Sequence, residues 1–368
     1  MARHETLVNY EKALRMLQRR MRTPSTDSTR AALICSIIFY CFEATLGNSR
    51  AATAHLQGGL NLLSSLHEKE TTPLPDLDSV TLEFERLDLQ ALLFYDQSVP
   101  FLEPPKFLHP VSKPSTPHFH RISDAYRAMV TLMYRGWTVI FDNMDHKNKS
   151  LSEIPLPALL EKQAIRNAFQ DWKTRFEDLH TRLSDAEAKG YGAQILLVHW
   201  HLSTLLLDGI LPYDADSWSA SPNLRAAELL SLIENILQLE PSSSPSPPRS
   251  SPSHPSQRTV SSEMGVVAPL FALTLKCADQ AICDRAFELL RSTKRREGLW
   301  DAEHMASLIE KLREMRETGF GEGARNVSLE VLFEKELDVP VKMGRDLKAS
   351  NFEEVVVGLY RYFRGRGV

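Results

Sequence analysis

The chain has 368 residues, with 43% hydrophobic residues, 24% charged residues and a formal net charge of −4 at pH 7. This composition is that of a globular protein with a sizeable core, and it excludes collagen-like, coiled-coil and wholly disordered chains. The near balance of basic and acidic residues gives no support for non-specific attraction to nucleic acid.

The cysteines occur as two pairs, and each pair has the spacing C-x5-C: Cys35 with Cys41, and Cys277 with Cys283. The C-x2-C units of zinc ribbons and fingers are missing, and four cysteines are too few for a disulfide framework in a chain of this length. Apolar residues flank each cysteine. We therefore expect small buried side chains with a structural role.

Helical periodicity dominates the N-terminal part of the chain. Residues 5–22 have one apolar stripe, which predicts a surface helix, and no hydrophobic stretch typical of a secretory signal precedes them. Residues 31–42 are apolar throughout but shorter than a membrane span, so they predict a helix buried on all sides of a soluble core. Residues 24–27 supply a turn and an N-cap for this helix, and it is expected to end near Gly47.

A third helix follows, with Asn48 or Ser49 as its N-cap. Gly58 and Gly59 lie inside it, where each glycine costs about 1 kcal/mol relative to alanine. We expect them to let another backbone approach closely. Residues 5–67 are thus predicted to form three antiparallel helices.

The rest of the chain is also predicted to be mainly helical, with an irregular, proline-rich crossing at 98–117. Further helices are expected at 76–94, 121–144, 155–188, 191–210, 222–239, 263–276, 279–293 and 301–318, the last with Asp301 as its N-cap. The segment 191–210 is apolar almost all round, which predicts a second central helix. The fold class is therefore all-α, a multi-helix antiparallel bundle or array.

Composition divides this fold into segments. Residues 1–240 are the first part of a helical domain, and 259–320 are its second part. The stretch 241–258 is so rich in serine and proline that it predicts a disordered insert. Residues 321–368 form a C-terminal extension, where alternation at 327–333 and 355–359 favours a small β-ribbon, with a helix as the alternative.

Few residues occur in patterns that suggest metal binding or catalysis. His199 and His201 are the most attractive metal pair, but positions two apart on a helix point about 200° apart and cannot share an ion, so core or rim histidines are favoured. Asp142, Asp145 and His146 faintly match the aspartate-rich motif of all-helical isoprenoid synthases, although Asn143 occupies the middle position. An isoprenoid-type enzyme is thus a remote alternative, and we predict no catalytic, cofactor or metal residues.

Phosphate-binding and nucleophile motifs are missing from the sequence: no G-x4-G-K-S/T loop, dinucleotide fingerprint or nucleophile elbow occurs. The basic runs 19–22 and 294–296 are short, and solvated helix ends are favoured over contacts with nucleic acid. These features predict that the protein is not an enzyme.

Three stretches resemble the regulatory region of fungal-specific transcription factors of the binuclear zinc cluster type. The first is YEKALRMLQRR (10–20) with ALICSIIFYCFEATLGNSRAATAHLQGGLNLL (32–63), and the second is FERLDLQALLF (84–94). The third is residues 261–312, in which "MG…PLF…KC" and "R..A..LL….RREGLWD" are the most specific elements. The resemblance implies regulation of transcription in the nucleus.

Members of this family normally have an N-terminal cluster of six cysteines that binds two zinc ions and reads DNA. The four cysteines of this chain cannot form it. Direct DNA binding is therefore not expected of this polypeptide, and its expected partners are other transcription regulators or co-regulators, a second copy of the chain, or a small-molecule effector. No membrane association is expected.

Two further hypotheses stay open. A stand-alone helical adaptor or dimerisation partner without a DNA-binding domain is the main alternative. If a small-molecule effector exists, the cleft between residues 31–46 and residues 191–210 is the expected site, since pockets in bundles form between helices.

Overall fold

The computed structural model describes residues 2–23, 25–68, 77–94, 118–143, 146, 149–209, 218, 220–239 and 259–319. The chain divides into two compact units, Met1–Leu92 with Phe101–Ser112 and Leu93–Pro100 with Lys113–Val368. The elements are almost all α-helices, which confirms the all-α fold class. The predicted insert at 241–258 and the extension at 321–368 lie outside the described residues.

The described residues of the first unit form α1 (Ala2–Arg20), α2 (Thr26–Leu46), α3 (Ser49–Glu68) and all but the last two residues of α4 (Leu77–Phe94). The helices α2 and α3 pack against each other more extensively than any other described pair, and only Gly47 and Asn48 join them. They form a helical hairpin, and the three helices predicted in this region are confirmed.

Local capping explains where α2 begins and ends. Ser25 is its N-cap, because its Oγ accepts from Ser28 N–H at 3.1 Å while Ser28 Oγ accepts from Ser25 N–H at 2.6 Å. Gly47 ends the helix in the left-handed region at φ 78°, where glycine has no steric penalty. Asn48 Oδ1 then accepts from Ala51 N–H at 3.4 Å and begins α3, as predicted.

The expectation that α2 is buried on all sides is wrong. Leu33, Phe39 and Tyr40 are buried, but Ile34 is 41% exposed and Ile38 is 56% exposed. Burial depends on which neighbours pack against a helix, and apolar composition alone does not supply them. By length and composition α2 could also cross a membrane, the sole such helix among the described residues, although a core helix passes the same test.

The two glycines of α3 have different surroundings. Position 58 faces open space, whereas a Cβ at position 59 would overlap the ring of Phe84 in α4 and lie 3.1 Å from Ser36 Cβ. Gly59 therefore makes room for a buried aromatic side chain. The predicted close approach of a neighbouring helix is thus seen at position 59, where Ser36 of α2 is the neighbour, but not at position 58.

The second unit begins with helices α5 (Ile122–Asp142), α6 (Leu156–Arg182), α7 (Asp185–Ala188), α8 (Tyr191–Asp208) and α9 (Leu224–Leu239). The central helix is α8, which packs against α5, α6 and α9. Two indoles join the helices: Trp172 Nε1 donates to the Ala125 carbonyl at 2.9 Å, and Trp200 Nε1 donates to the Phe169 carbonyl at 2.9 Å. The predicted helices of this region, including a second central one, are confirmed, except that the segment 155–188 is divided into α6 and α7 at Leu183 and Ser184.

The same unit continues with β1 (Thr259–Ser261), α10 (Val267–Lys276), α11 (Gln280–Ser292), β2 (Arg295–Glu297), β3 (Trp300–Asp301) and α12 (Ala302–Gly319). The strands form one small sheet in the order β1, β2, β3, parallel in the first pair and antiparallel in the second. This sheet was not predicted from the sequence, since strands of two or three residues are too short to show alternation. The β-ribbon predicted at 327–333 and 355–359 lies outside the described residues.

Candidate functional site

The two histidines of α8 lie in different surroundings. His199 is 3% exposed, and neither of its ring nitrogens has a partner in ordinary hydrogen-bond geometry within the part of the chain that the structure describes. Burial lowers the pKa of His199 to about 4, an effect that the backbone of Met264 partly opposes. The imidazole is therefore a neutral core group at pH 7.

His201, on the same helix, lies nearer the surface of the protein. Its Nδ1 is 3.9 Å from the Glu228 carboxylate, and its ring meets the Trp200 indole edge-on. Burial, and then the positive charges of Lys173 and Arg225, lower its pKa to about 4. The core and rim positions predicted for these two histidines are confirmed.

Side chains that could bind a metal ion are scattered over the fold. Among the described residues, no three or more His, Cys, Asp and Glu side chains are grouped so that they could hold a metal ion. Sites for zinc and other transition metals usually need at least three protein ligands in one place.

The aspartate-rich motif is only partly described. Asp142 is the last residue of α5, but its side chain and the whole of Asp145 lie outside the described residues. The intervening Asn143 donates from Nδ2 to the Val139 carbonyl at 2.9 Å, and His146 Nδ1 is 3.1 Å from Lys149 Nζ. The isoprenoid-synthase alternative stays a hypothesis.

Asp208, at the C-terminal end of α8, interacts with basic side chains from two other helices. Arg225 Nη1 donates to its carboxylate at 2.7 Å, and Arg166 Nε lies 3.6 Å away. Lys162 Nζ donates to the Asp208 carbonyl at 3.5 Å. Cations are favoured at the C-terminus of a helix, so this cluster stabilises the junction of α6, α8 and α9.

Residues of the first motif stretch converge on a polar cluster in the first unit. Tyr10 Oη lies 2.8 Å from His55 Nε2, and the Tyr10 ring stacks on Phe42 with centroids 4.6 Å apart. The Glu43 carboxylate accepts from Asn48 Nδ2 at 2.9 Å. Burial and the Glu43 carboxylate raise the pKa of Tyr10, and burial lowers that of His55. Phenol and imidazole are both neutral at pH 7, and they join α1 to α3 by a hydrogen bond.

The two most specific motif elements of the third stretch are joined by a buried carboxylate. Glu297 accepts from the backbone N–H of Val266 at 3.0 Å and of Val267 at 2.8 Å, where α10 begins. Arg295 Nε donates to the same carboxylate at 2.9 Å. A Cβ at position 265 would overlap this carboxylate, so Gly265 permits the approach. We call Gly265, Arg295 and Glu297 the sheet network.

Opposing effects act on the pKa of Glu297 in the sheet network. Burial raises the pKa of Glu297, while Arg295 and the two backbone N–H groups act in the opposite direction. The start of a helix also has a partial positive charge that favours a carboxylate. This contact was not predicted from the sequence, because its partners are about thirty residues apart and no local pattern connects them.

Asp301 begins α12, as predicted from the sequence. Its Oδ1 accepts from Glu303 N–H at 3.1 Å and from His304 N–H at 3.4 Å. Its Oδ2 accepts from Arg296 Nε at 2.8 Å. The expectation that the run at 294–296 is a solvated helix end is wrong: both of its arginines are buried, because two carboxylates offset their charge.

The cysteines differ in burial. Cys277 and Cys283 are buried, as predicted, whereas Cys35 and Cys41 are partly exposed on α2. All four are free thiols.

The cleft expected between residues 31–46 and 191–210 would involve α2 and α8. These helices belong to different compact units, α2 to the first and α8 to the second. The small-molecule site therefore stays a prediction.

Comparison with known proteins identified no relative. No protein-family model, no curated protein and no solved structure matches the chain.

Proposed function

We propose that this chain is the regulatory module of a fungal transcription regulator of the binuclear zinc cluster type. It acts in the nucleus through contacts with co-regulators or through a small-molecule effector. The observation that supports this proposal is the contact between two motif elements of the resemblance: Gly265 of "MG…PLF" admits the carboxylate of Glu297 from "RREG".

The same relation holds in the first unit. Tyr10, Phe42 and His55 come from three separate parts of the first motif stretch, and Tyr10 contacts both of the others. Motif residues that contact each other across the fold are expected of a shared architecture. A chance match of short patterns gives no reason for them to meet.

The charge distribution favours protein or small-molecule partners over DNA. The net charge is −4, and the arginines of the run at 294–296 are buried beside carboxylates. DNA affinity depends on exposed cations that replace counterions along the phosphate backbone. Direct DNA binding by this chain is therefore not part of the proposal.

A reporter assay tests the proposal. The full chain is fused to an unrelated DNA-binding domain and expressed in a fungal strain with a matching reporter gene. We expect reporter output to change several-fold relative to the DNA-binding domain alone. A control fusion in which Glu297 is replaced by alanine should lose the effect together with the fold, as judged by its sensitivity to proteolysis.

The adaptor alternative predicts a different result. A stand-alone dimerisation partner forms a stable oligomer, which light scattering of the purified chain measures, and leaves the reporter unchanged. An unchanged reporter from a folded nuclear fusion would overturn the regulatory proposal. An oligomer in that case would support the adaptor instead.

A further inference from the structure

The two cysteine pairs have the same spacing in the sequence but different geometry in the fold. Cys35 and Cys41 both lie inside the single helix α2. Six residues of α-helix span about 9 Å along the axis. A disulfide needs Cα atoms within about 7 Å, so this pair cannot be bridged while α2 is intact.

Cys277 and Cys283 lie on opposite sides of the junction between α10 and α11. Cys277 directly follows the last residue of α10, and Cys283 is in the first turn of α11. The Cys283 thiol donates to the Cys277 carbonyl at 2.7 Å. The chain thus reverses so that the thiol of Cys283 reaches the backbone of Cys277.

The junction is fixed from both sides. Asp279 caps α11 by accepting from Ala281 N–H at 3.1 Å, and its other carboxylate oxygen accepts from Asn223 N–H at 3.2 Å. On the other side, Arg313 Nη2 of α12 donates to the Cys283 carbonyl at 3.5 Å. These contacts hold the two cysteines together in the folded protein.

We propose that Cys277 and Cys283 are an oxidation site at which a small hydroperoxide forms an intramolecular disulfide. The proposal does not depend on the function proposed above. It rests on the contact of the Cys283 thiol with the Cys277 backbone at a helix junction, and on the different geometry of Cys35 and Cys41.

The reaction proceeds in two balanced steps. The Cys277 thiolate attacks one oxygen of the hydroperoxide, the O–O bond breaks, and the alcohol or water leaves after taking up a proton, so that Cys277 becomes a sulfenic acid. The sulfur of Cys283 then attacks the sulfenic sulfur, its thiol proton goes to the departing hydroxide, and water leaves. Two thiols and one hydroperoxide thus give one disulfide, one alcohol or water from the peroxide, and one water.

The pKa values of the two thiols indicate which cysteine reacts first. The hydrogen bond from Cys283 lowers the pKa of Cys277, and the same contact together with burial raises that of Cys283. The thiolate is the nucleophile in this chemistry, so Cys277 reacts first and Cys283 resolves the intermediate. Burial raises the pKa of Cys35 in the other pair, which slows its attack on peroxide.

Burial determines which reagents reach the site. Cys277 is 5% exposed and Cys283 is 7% exposed. Hydrogen peroxide is close to water in size, whereas maleimides and other alkylating agents are much larger. We expect peroxide to oxidise the pair in the folded protein under conditions where a maleimide leaves it unmodified.

The experiment uses the full chain with Cys35→Ser and Cys41→Ser, so that only the buried pair remains. The reduced protein is treated with hydrogen peroxide, then denatured and alkylated. The expected result is a mass decrease of about 2 Da, two protected thiols that reductant releases, and a cross-linked peptide between the two cysteines. The matched control has Cys277→Ser and Cys283→Ser, and its remaining pair should give no intramolecular cross-link.

Three results would overturn the proposal. They are a buried pair that stays fully alkylatable after peroxide treatment, oxidation to sulfinic acid without a cross-link, and a link that forms only between chains on a non-reducing gel. The Cys35→Ser, Cys41→Ser protein leaves the α10–α11 junction untouched, so the test does not depend on whether serines at 277 and 283 are tolerated. Circular dichroism before and after treatment verifies that the protein stays folded.

Discussion

Replacement of His199 by leucine is expected to make the protein more resistant to acid. Burial lowers the pKa of this histidine from 6.5 to about 4. Between these values the unfolded chain binds a proton that the folded chain does not, so stability is full above the unfolded pKa and falls as the pH is lowered. The two pKa values correspond to a loss of about 2 kcal/mol between pH 8 and pH 5 and about 3 kcal/mol by pH 4.

This loss is large compared with the free energy of unfolding of typical proteins, about 5 to 15 kcal/mol. Leucine removes the titrating group and fills a similar apolar space. Neither ring nitrogen of His199 has a partner in ordinary hydrogen-bond geometry within the described ranges, so the substitution removes only the weak interaction with the Met264 backbone. At pH 8 the variant should therefore match the wild type within about 1.5 kcal/mol.

Urea unfolding followed by circular dichroism, at pH 8 and at pH 5, measures both quantities. The wild-type protein should lose about 2 kcal/mol more than His199→Leu on acidification. The matched control is His120→Gln, since His120 is exposed. His201 is unchanged in all three proteins, so their difference isolates His199. Equal losses in the wild type and His199→Leu would refute the reasoning, as would an equal effect of the control.

Three further substitutions are predicted to change the free energy of unfolding, measured with urea at neutral pH. Gly58→Ala should raise the free energy of unfolding by about 0.5 to 1 kcal/mol, because position 58 faces open space and alanine is the better helix former. Gly59→Ala should lower it by about 1 to 3 kcal/mol, because its Cβ would overlap the Phe84 ring, and equal effects of the two glycine substitutions would contradict this packing. Glu297→Gln should lower it by about 3 kcal/mol, because the buried guanidinium of Arg295 loses the charge it faces. A loss below about 1 kcal/mol for Glu297→Gln would show that Arg295 does not depend on this carboxylate.

The sequence predicted the parts of the fold that depend on neighbouring residues. Ser25, Gly47, Asn48 and Asp301 each begin or end a helix as expected, because capping needs only a side chain and backbone groups within a few positions. The different surroundings of His199 and His201 follow from helix geometry alone. These features are local, so one sequence is enough to predict them.

Other features depend on distant contacts, and the sequence did not show them. The exposure of Ile34 and Ile38 is decided by which helices pack on α2, and the apolar run gives no information on that. The two arginines at 295 and 296 look like a solvated basic run until the carboxylates of Glu297 and Asp301 are placed beside them. The two cysteine pairs likewise have equal spacing in the sequence, but one pair lies within a single helix and the other spans the junction of α10 and α11.

The residues that produce the family resemblance are mainly structural, and this limits what the resemblance can say about mechanism. Gly265 and Glu297 fix the start of α10, Asp301 caps α12, and Tyr10 with His55 joins α1 to α3. Substitutions at these positions are expected to lower the stability of the fold rather than to alter contacts with a partner. Under the proposed function, the groups that select a partner or effector are therefore expected outside these motif positions. The reporter assay with the full chain addresses function directly, since it does not depend on knowing those groups beforehand.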